Sequence, residues 1–325
     1  MTHLEADRGA DIGAQLEEHR RAVVVHCYRF LGSLHDAEEA TQEAFLKAWR
    51  NWSGFEGKSS VKTWLYKIAT RVCLDMIDKR KRRITPVAVG PAADPGTPPA
   101  GGANDISWLE PLPGGYLTDE TLDPAAAYSS TESVKLAFIA ALQTLPARQR
   151  AVLILRDVLA WSAAETASAL DMSLGAANSA LHRARQTVAE HAGDRDPVAQ
   201  QDPDDPKVIR LLEAYLRAWQ RDDIDGLVAT LQADVRLAMP PSVSWYSGRD
   251  DVVRFLGAFV LPQGAYSLVA TTANGQPAFE TLVRGPDGVD RPVGMQVLTV
   301  DADGVSAIDF FLDPAMQGAA PPEEG

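Results

Sequence analysis

Aromatic and cationic side chains alternate between Phe55 and Arg71. The rings of Trp64 and Tyr66 offer flat faces on which unstacked bases can pack, and neighbouring lysines can meet phosphate oxygens. These lysines are Lys58, Lys62 and Lys67. The combination of stacking rings and cations is typical of proteins that capture single-stranded nucleic acid.

Positive charge is concentrated around and after this aromatic segment. Nine basic and two acidic residues between Lys58 and Arg83 give +7, although the whole chain carries −13. The segment ends in an unbroken run of cations: Lys79, Arg80, Lys81, Arg82 and Arg83. Such a run can bind phosphates by counterion release, or simply complement the C-terminal end of a helix. The aromatic segment has a comparable alternative, because Trp64, Leu65 and Ile68 have the spacing of a buried helix face.

A second pattern lies between Trp161 and Arg185. Ser162 and Glu165 form a predicted capping box at the start of one helix, and Ser173 is placed to cap the next. The second helix carries polar and basic side chains on its predicted exposed face: Asn178, His182, Arg183 and Arg185. A helix, a tight turn and a polar second helix follow the helix-turn-helix plan, whose second helix enters the major groove. An αα-hairpin without DNA binding is the alternative.

The elements that position these side chains follow from changes in composition along the chain. Helix-forming residues without proline fill the first block, prolines and glycines crowd the second, and a short acidic stretch precedes a final block of helices and β-rich runs. We predict helical blocks at 13–83 and 131–192, a Pro/Gly-rich linker at 84–130, an acidic linker at 193–206, a mixed domain at 207–315 and a tail at 316–325.

Several classes of protein are excluded by composition. Only Cys27 and Cys73 are present, without a metal-ligand spacing, so we expect neither a disulfide framework nor a metal site. The first residues lack a signal peptide pattern, and no apolar run approaches the ~20 residues of a membrane helix. We therefore expect a cytoplasmic protein that needs no cofactor and has no contact with a membrane.

The first helical block resembles region 2 of the extracytoplasmic-function sigma factors. The resemblance lies in DAEEATQEAFLKAW, residues 36–49, and FEGKSSVKTWLYKIATRVCLDMIDKRKR, residues 55–82. It implies that one helix surface docks on the β′ clamp helices of core RNA polymerase, through Asp36, Glu39, Gln42, Phe45 and Trp49. It also implies that the loop 55–60 and the residues beside it melt and hold the minus-ten promoter strand. With the cation run, those residues are Lys58, Lys62, Trp64, Lys67, Arg71, Lys79, Arg80, Lys81, Arg82 and Arg83.

The second helical block resembles sigma region 4, through its leucine–proline opening at Leu145-Pro146 and its LHRAR ending at 181–185. This resemblance implies contact with the polymerase β flap and duplex readout by Ser173, Asn178, His182, Arg183 and Arg185. Asp171 stands where the family usually has glycine, and Asp tolerates the left-handed region better than most residues.

The last block has an opening helix pair, a GR-D-x-V-x-x-F segment at 248–255 and a final strand. Through these anchors it resembles SnoaL-like domains, which are α+β cones of the nuclear-transport-factor-2-like superfamily. We predict opening helices and then a curved antiparallel sheet, with strands near 235–239, 266–272, 278–284, 293–300 and 305–311. Candidate pocket residues are Tyr215, Trp219, Trp245, Tyr246 and Asp309. The position where isomerase-like relatives place a catalytic acid falls near Ala238 and Met239, which cannot titrate. No catalytic residue is therefore assigned.

The resulting prediction is a multidomain chain: all-α sigma region 2, all-α sigma region 4 with a helix-turn-helix, and an α+β SnoaL-like cone. Such a chain binds core RNA polymerase and promoter DNA, and the cone regulates it in cis, with or without a small-molecule ligand. Two alternatives are a helix-turn-helix regulator with a ligand-sensing cone, and a SnoaL-like cyclase or isomerase.

Overall fold

A computed structural model describes residues 12–103, 105–117, 131–192, 205–263, 266–285 and 287–312. These residues form two compact units, and each unit is built from two separate segments of the chain. The first unit combines the described chain up to Arg83 with the segment from Glu110 onward through residue 192. The second combines Ile84–Leu109 with the described residues from 205 onward. The predicted tail and most of the acidic linker, residues 193–204, lie outside the described residues.

The N-terminal part of the first unit contains the helices α1 (Arg20–Leu31), α2 (Leu34–Arg50) and α3 (Val61–Ile77). Gly32 ends α1 in the left-handed conformation, with φ of 66°, where glycine carries no Cβ penalty. Ser33 then occupies the N-cap of α2, its hydroxyl accepting from the Asp36 amide. Ser60 caps α3 in the same way.

Four further helices complete this unit: α4 (Leu136–Thr144), α5 (Ala147–Leu153), α6 (Ala163–Ala169) and α7 (Leu174–Ala192). The predicted capping box of Ser162 and Glu165 is present at the start of α6. Ser173 accepts from the Ala176 amide at the start of α7, as its spacing predicts. Helices α6 and α7 therefore form the predicted helix-turn-helix, with Asp171 at φ 51° in the turn between them.

The second unit is built on a six-stranded sheet with strand order β2-β1-β6-β5-β4-β3. Its strands are β1 (Leu231–Ala238), β2 (Trp245–Ser247), β3 (Tyr266–Ala273), β4 (Gln276–Arg284), β5 (Asp290–Asp301) and β6 (Gly304–Leu312). The predicted strand positions are confirmed, but the prediction of a wholly antiparallel sheet is wrong, because β1 pairs with β6 in parallel. The sequence pattern identifies strands, whereas the direction of the β1–β6 pair depends on chain topology.

Helices α8 (Pro206–Gln220), α9 (Ile224–Val228) and α10 (Arg249–Phe255) cover this sheet. The shared core includes Tyr215 from α8, Phe255 from α10 and Phe279 from β4. Among the described residues, no helix is long and apolar enough to cross a membrane.

Residues 84–103 and 105–109, which we call the strap, pack onto this second unit. The strap follows β2, at one edge of the sheet: the Ala93 amide donates to the Trp245 carbonyl over 2.8 Å, and the Ala103 amide to the Pro241 carbonyl over 3.0 Å. Its two ends pair with each other through a parallel bridge between Ile84 and Trp108. The prolines that predicted an open linker here do not interrupt the strap, because non-proline residues supply these amide donors.

Candidate nucleic-acid and polymerase interfaces

Three aromatic rings cluster at the start of α3. Trp64 projects from the first turn of the helix, and Trp52 and Phe55 come from the 3-10 turn and loop before it. The ring centroid of Phe55 lies 5.0 Å from that of Trp64, and the centroid of Trp52 lies 5.9 Å from the same ring. All three side chains remain partly accessible. Trp52 is not among the predicted residues, although its position three residues before Phe55 could have identified it.

Cations lie around this cluster, as predicted, and they differ in exposure. Lys58 is exposed beside Glu56, whereas the ammonium of Lys62 lies 6.0 Å from the centroid of the Tyr66 ring. Arg71 is also exposed, seven residues along α3 from Trp64. The prediction that Tyr66 offers a stacking face is wrong, because its ring is buried against His26.

The cation run after α3 folds back onto the acidic start of α2. Arg83 donates to the Asp36 carboxylate over 2.7 Å and to the Glu110 carboxylate over 2.9 Å, and Arg80 contacts both Asp36 and Glu39. The Asp36 side chain is only 9% exposed. The Asp36 carboxylate is therefore a buried anion that pairs with cations of the same fold. The prediction that Asp36 contacts the polymerase is wrong. Lys79, Lys81 and Arg82 remain exposed.

Helix α2 presents an apolar face beyond this network. Leu46 is 50% exposed and Trp49 is 54% exposed, and Gln42 lies on the same face at helical spacing. Phe45, predicted on the docking surface, is instead buried in the core of the unit. The exposed Leu46 was missed, because helical periodicity alone does not say which side of Phe45 faces outward.

Helix α7 carries the predicted readout residues on its surface. Asn178, His182 and Arg183 are exposed, whereas Arg185 donates twice to the Asp157 carboxylate, at 2.7 and 2.9 Å. The first residue of the helix, Leu174, is 52% exposed. Sequence reasoning missed Leu174 because an apolar residue after a cap resembles an inward-facing one.

The aromatic candidates of the C-terminal unit lie in its core rather than at its surface. Tyr215, Trp219 and Tyr246 are buried, and burial raises the pKa of Tyr246 to about 12. Tyr215 donates to the Gln296 side-chain oxygen over 2.6 Å, and the Gln296 amide donates to Thr281. The Trp245 indole donates to the Gly90 carbonyl of the strap over 2.8 Å. Trp245 thus has a packing role that its prediction as a pocket residue did not include.

The Asp309 carboxylate forms an ion pair within the domain. Arg236 on β1 donates to both carboxylate oxygens of Asp309, at 3.1 Å each. Ala238 and Met239, at the position of the catalytic acid in isomerase-like relatives, are buried and apolar. Among the described residues, no cluster of three His, Cys, Asp or Glu side chains could hold a metal ion.

Three known protein families match successive parts of the chain. The sigma-70 region 2 family matches residues 16–83, the sigma-70 region 4 family matches residues 135–188, and the SnoaL-like domain family matches residues 212–307. The aromatic cluster therefore lies within the region 2 match, and the helix-turn-helix lies within the region 4 match.

Similar proteins include two extracytoplasmic-function sigma factors. The chain is 44% identical to the extracytoplasmic-function RNA polymerase sigma factor SigG of Mycobacterium tuberculosis, over 95% of this chain and 83% of the relative. It is 28% identical to SigJ of the same organism, over 77% of this chain and 74% of the relative. The crystal structure of SigJ superposes with a TM-score of 0.56 at 23% identity, over 97% of this chain and 99% of the other.

Proposed function

The chain belongs to the extracytoplasmic-function sigma factors, and we propose that its two helical regions divide promoter recognition between them. Region 2, residues 16–83, captures the melted minus-ten strand, and region 4, residues 135–188, reads the upstream duplex. The observation that carries this proposal is the accessible cluster of Trp52, Phe55 and Trp64 beside exposed cations. Stacking on such rings contributes about 1–3 kcal/mol per base and tolerates any base sequence.

Core RNA polymerase is the partner of the exposed α2 face. Gln42, Leu46 and Trp49 share that face, and exposed apolar side chains so close together mark an interaction surface. We assign this patch to the β′ clamp helices. Glu39 remains at its edge and is 51% exposed, so it can contribute despite its pairing with Arg80. The β flap is assigned to region 4.

Duplex readout is assigned to the N-terminal half of α7. Residues there contact base edges in helix-turn-helix proteins. Asn178 and His182 supply hydrogen-bonding groups, and the exposed Leu174 can contact the methyl group of thymine. Arg183 is assigned to a phosphate. Arg185 would have to leave Asp157 before it could bind DNA.

The C-terminal domain is assigned a regulatory role without catalysis. The domain binds the strap, and the strap is the first part of the chain segment that connects region 2 to region 4. A domain that holds this connection can control how far the two regions separate. The cyclase or isomerase alternative is disfavoured by the Arg236–Asp309 pair and by the apolar residues at the acid position. A small-molecule ligand would act by changing how tightly the C-terminal domain binds the strap.

Replacement of Trp64 by alanine tests the strand-capture assignment. We expect Trp64→Ala to reduce promoter opening, measured by permanganate reactivity of unpaired thymines, by about 5- to 100-fold at unchanged affinity for core polymerase. Val269→Ala is the control, because it removes an exposed apolar side chain from β3, outside region 2. Normal opening by Trp64→Ala would show that the ring only packs the fold.

A further inference from the structure

Regions 2 and 4 contact one another within the first compact unit. The guanidinium of Arg150 on α5 is buried, and it donates to the Phe30 carbonyl at the end of α1 and to the Gln143 side-chain oxygen. Arg29 on α1 donates to the Ser133 hydroxyl over 3.0 Å. These bonds satisfy groups that would otherwise lie unpaired in the interface, so they hold the two regions in a defined arrangement.

At the exposed edge of this interface, two cations of α3 meet region 4. Arg71 donates to the Asp171 carboxylate over 3.1 Å. The ammonium of Lys67 lies 5.9 Å from the centroid of the Trp161 ring. Lys67 and Arg71 are residues assigned above to promoter DNA, and both face the helix-turn-helix of the same chain.

Asp171 is an unusual residue for its backbone conformation. Its φ of 51° lies in the left-handed region, where glycine is favoured because it has no Cβ. The turn itself therefore favours the glycine that is common in the family. Among the described residues, the Asp171 carboxylate pairs with Arg71, and glycine at this position would lack the contact.

The contact is incompatible with simultaneous reading of both promoter elements. The minus-ten and minus-thirty-five positions are about 25 base pairs apart, which is about 85 Å at 3.4 Å per base pair. In this structure the Arg71–Asp171 contact and the helix rise of 1.5 Å per residue leave Trp64 and His182 at most about 50 Å apart. DNA is stiff over this length and cannot bend enough to bring the two promoter elements within about 50 Å of each other. Regions 2 and 4 must therefore separate before both elements can be bound.

We propose that Asp171 acts as an internal competitor of DNA, occupying Arg71 until regions 2 and 4 separate. Its carboxylate takes the place that a phosphate oxygen of the minus-ten strand would take on the guanidinium. The proposal rests on the proposed function, in which Arg71 binds that strand. The competition would explain why aspartate occupies position 171, where the backbone conformation favours glycine.

The expected effect is small, because both partners are largely exposed. The side chain of Arg71 is 59% exposed and that of Asp171 is 80% exposed. An exposed pair of this kind changes an equilibrium by about 2- to 5-fold and is screened by salt. A gain in DNA affinity of this size at low ionic strength, and its disappearance at high ionic strength, are the signature of the competition.

The test is binding of the full chain to a fluorescein-labelled, mixed-sequence 20-nucleotide single strand, measured by anisotropy at low and high salt. We expect Asp171→Asn and Asp171→Gly to bind about 2- to 5-fold more tightly than the parent at low salt. Glycine suits the left-handed turn, so the second variant folds at least as well as the parent. Glu190→Gln is the matched control, because it removes the same charge from an exposed position near the C-terminal end of α7.

The dependence on Arg71 separates the possible outcomes. If Arg71→Gln weakens binding and abolishes the gain from Asp171→Asn, the competition is established. If Arg71→Gln weakens binding but neither Asp171 variant gains affinity, the competition is refuted and the strand-capture assignment stands. An equal gain in Glu190→Gln also refutes it, since net charge alone would then explain the effect. If Arg71→Gln binds like the parent, the assignment of Arg71 to DNA fails, and the competition fails with it.

Discussion

Arg83 illustrates how a residue type with an obvious chemistry can be used for another purpose. The cation run 79–83 has the composition of a phosphate-binding segment, and four of its members, Lys79, Arg80, Lys81 and Arg82, are exposed. Arg83 instead joins Asp36 to Glu110, whose backbone amide also donates to the Gly32 carbonyl. The guanidinium therefore fastens the chain that enters region 4 onto region 2.

Replacement of Arg83 by alanine tests this structural role. The change leaves the nearly buried Asp36 carboxylate with Arg80 alone, and we expect the free energy of unfolding to fall by about 2 kcal/mol. Urea denaturation measures the loss. The neighbouring Arg82→Ala is the control, because Arg82 is exposed and its loss should cost less than about 0.5 kcal/mol. Equal effects of the two variants would contradict the role of Arg83.

His26 makes the stability of region 2 depend on pH. Burial, and then the adjacent charge of Arg29, lower the pKa of His26 to about 3, while its Nε2 atom lies 2.9 Å from the Thr70 hydroxyl oxygen. Between this value and the unfolded value of about 6.5, the unfolded chain binds a proton that the folded chain refuses. Stability is therefore complete above about pH 6.5 and falls as the pH decreases below it.

Denaturation at two pH values checks this prediction. Between pH 7.5 and pH 5.0, we expect the parent to lose about 2 kcal/mol more stability than His26→Gln, which cannot take up the proton. The glutamine amide retains a polar group towards Thr70, so the comparison isolates the charge. Parallel losses in both proteins would show that His26 is protonated equally in the folded and unfolded chains.

At the scale of elements, the positions of helices and strands could be predicted from the sequence, but the elements against which they pack could not. Capping residues such as Ser162 and Ser173 act within one turn, so their spacing alone locates the helices. The strap was missed because its bonds join residues far apart in sequence, such as Ala93 and Trp245. Pairing between distant segments leaves little local signature in composition, and the exposed side of a helix, as for Leu46, depends on the same distant contacts.

The strap should exchange its amide hydrogens slowly despite its proline content. The Ala100 amide donates to the Ser244 hydroxyl over 2.9 Å, and Ser242 donates back to the Ala100 carbonyl. We expect Ser244→Ala to raise the exchange rate of the Ala100 amide about 5-fold, measured by hydrogen exchange and mass spectrometry. Ser247→Ala, at an exposed position of the adjoining strand β2, should leave the rate unchanged. Rapid exchange in the parent would contradict the packing of the strap.

At the scale of the whole molecule, the chain alternates between two compact units. It leaves the first unit after Arg83, forms the strap on the second, and returns at Glu110. Because the strap belongs to the C-terminal unit, the connection between regions 2 and 4 shares the stability of that unit. Through this topology, the domain at the C-terminal end of the chain binds a segment from the first half of the chain directly.

The central claim, that this chain directs core RNA polymerase to particular promoters, is tested most directly by transcription in vitro. Purified core polymerase is supplied with fragmented DNA of the source genome, and the 5′ ends of the run-off transcripts are sequenced. The full chain should produce a small set of defined start sites that core polymerase alone does not produce. The variant Leu46→Ala/Trp49→Ala should lose them, whereas Val269→Ala, which removes an exposed apolar side chain from β3, should retain them. Identical start sites with and without the chain would contradict the claim.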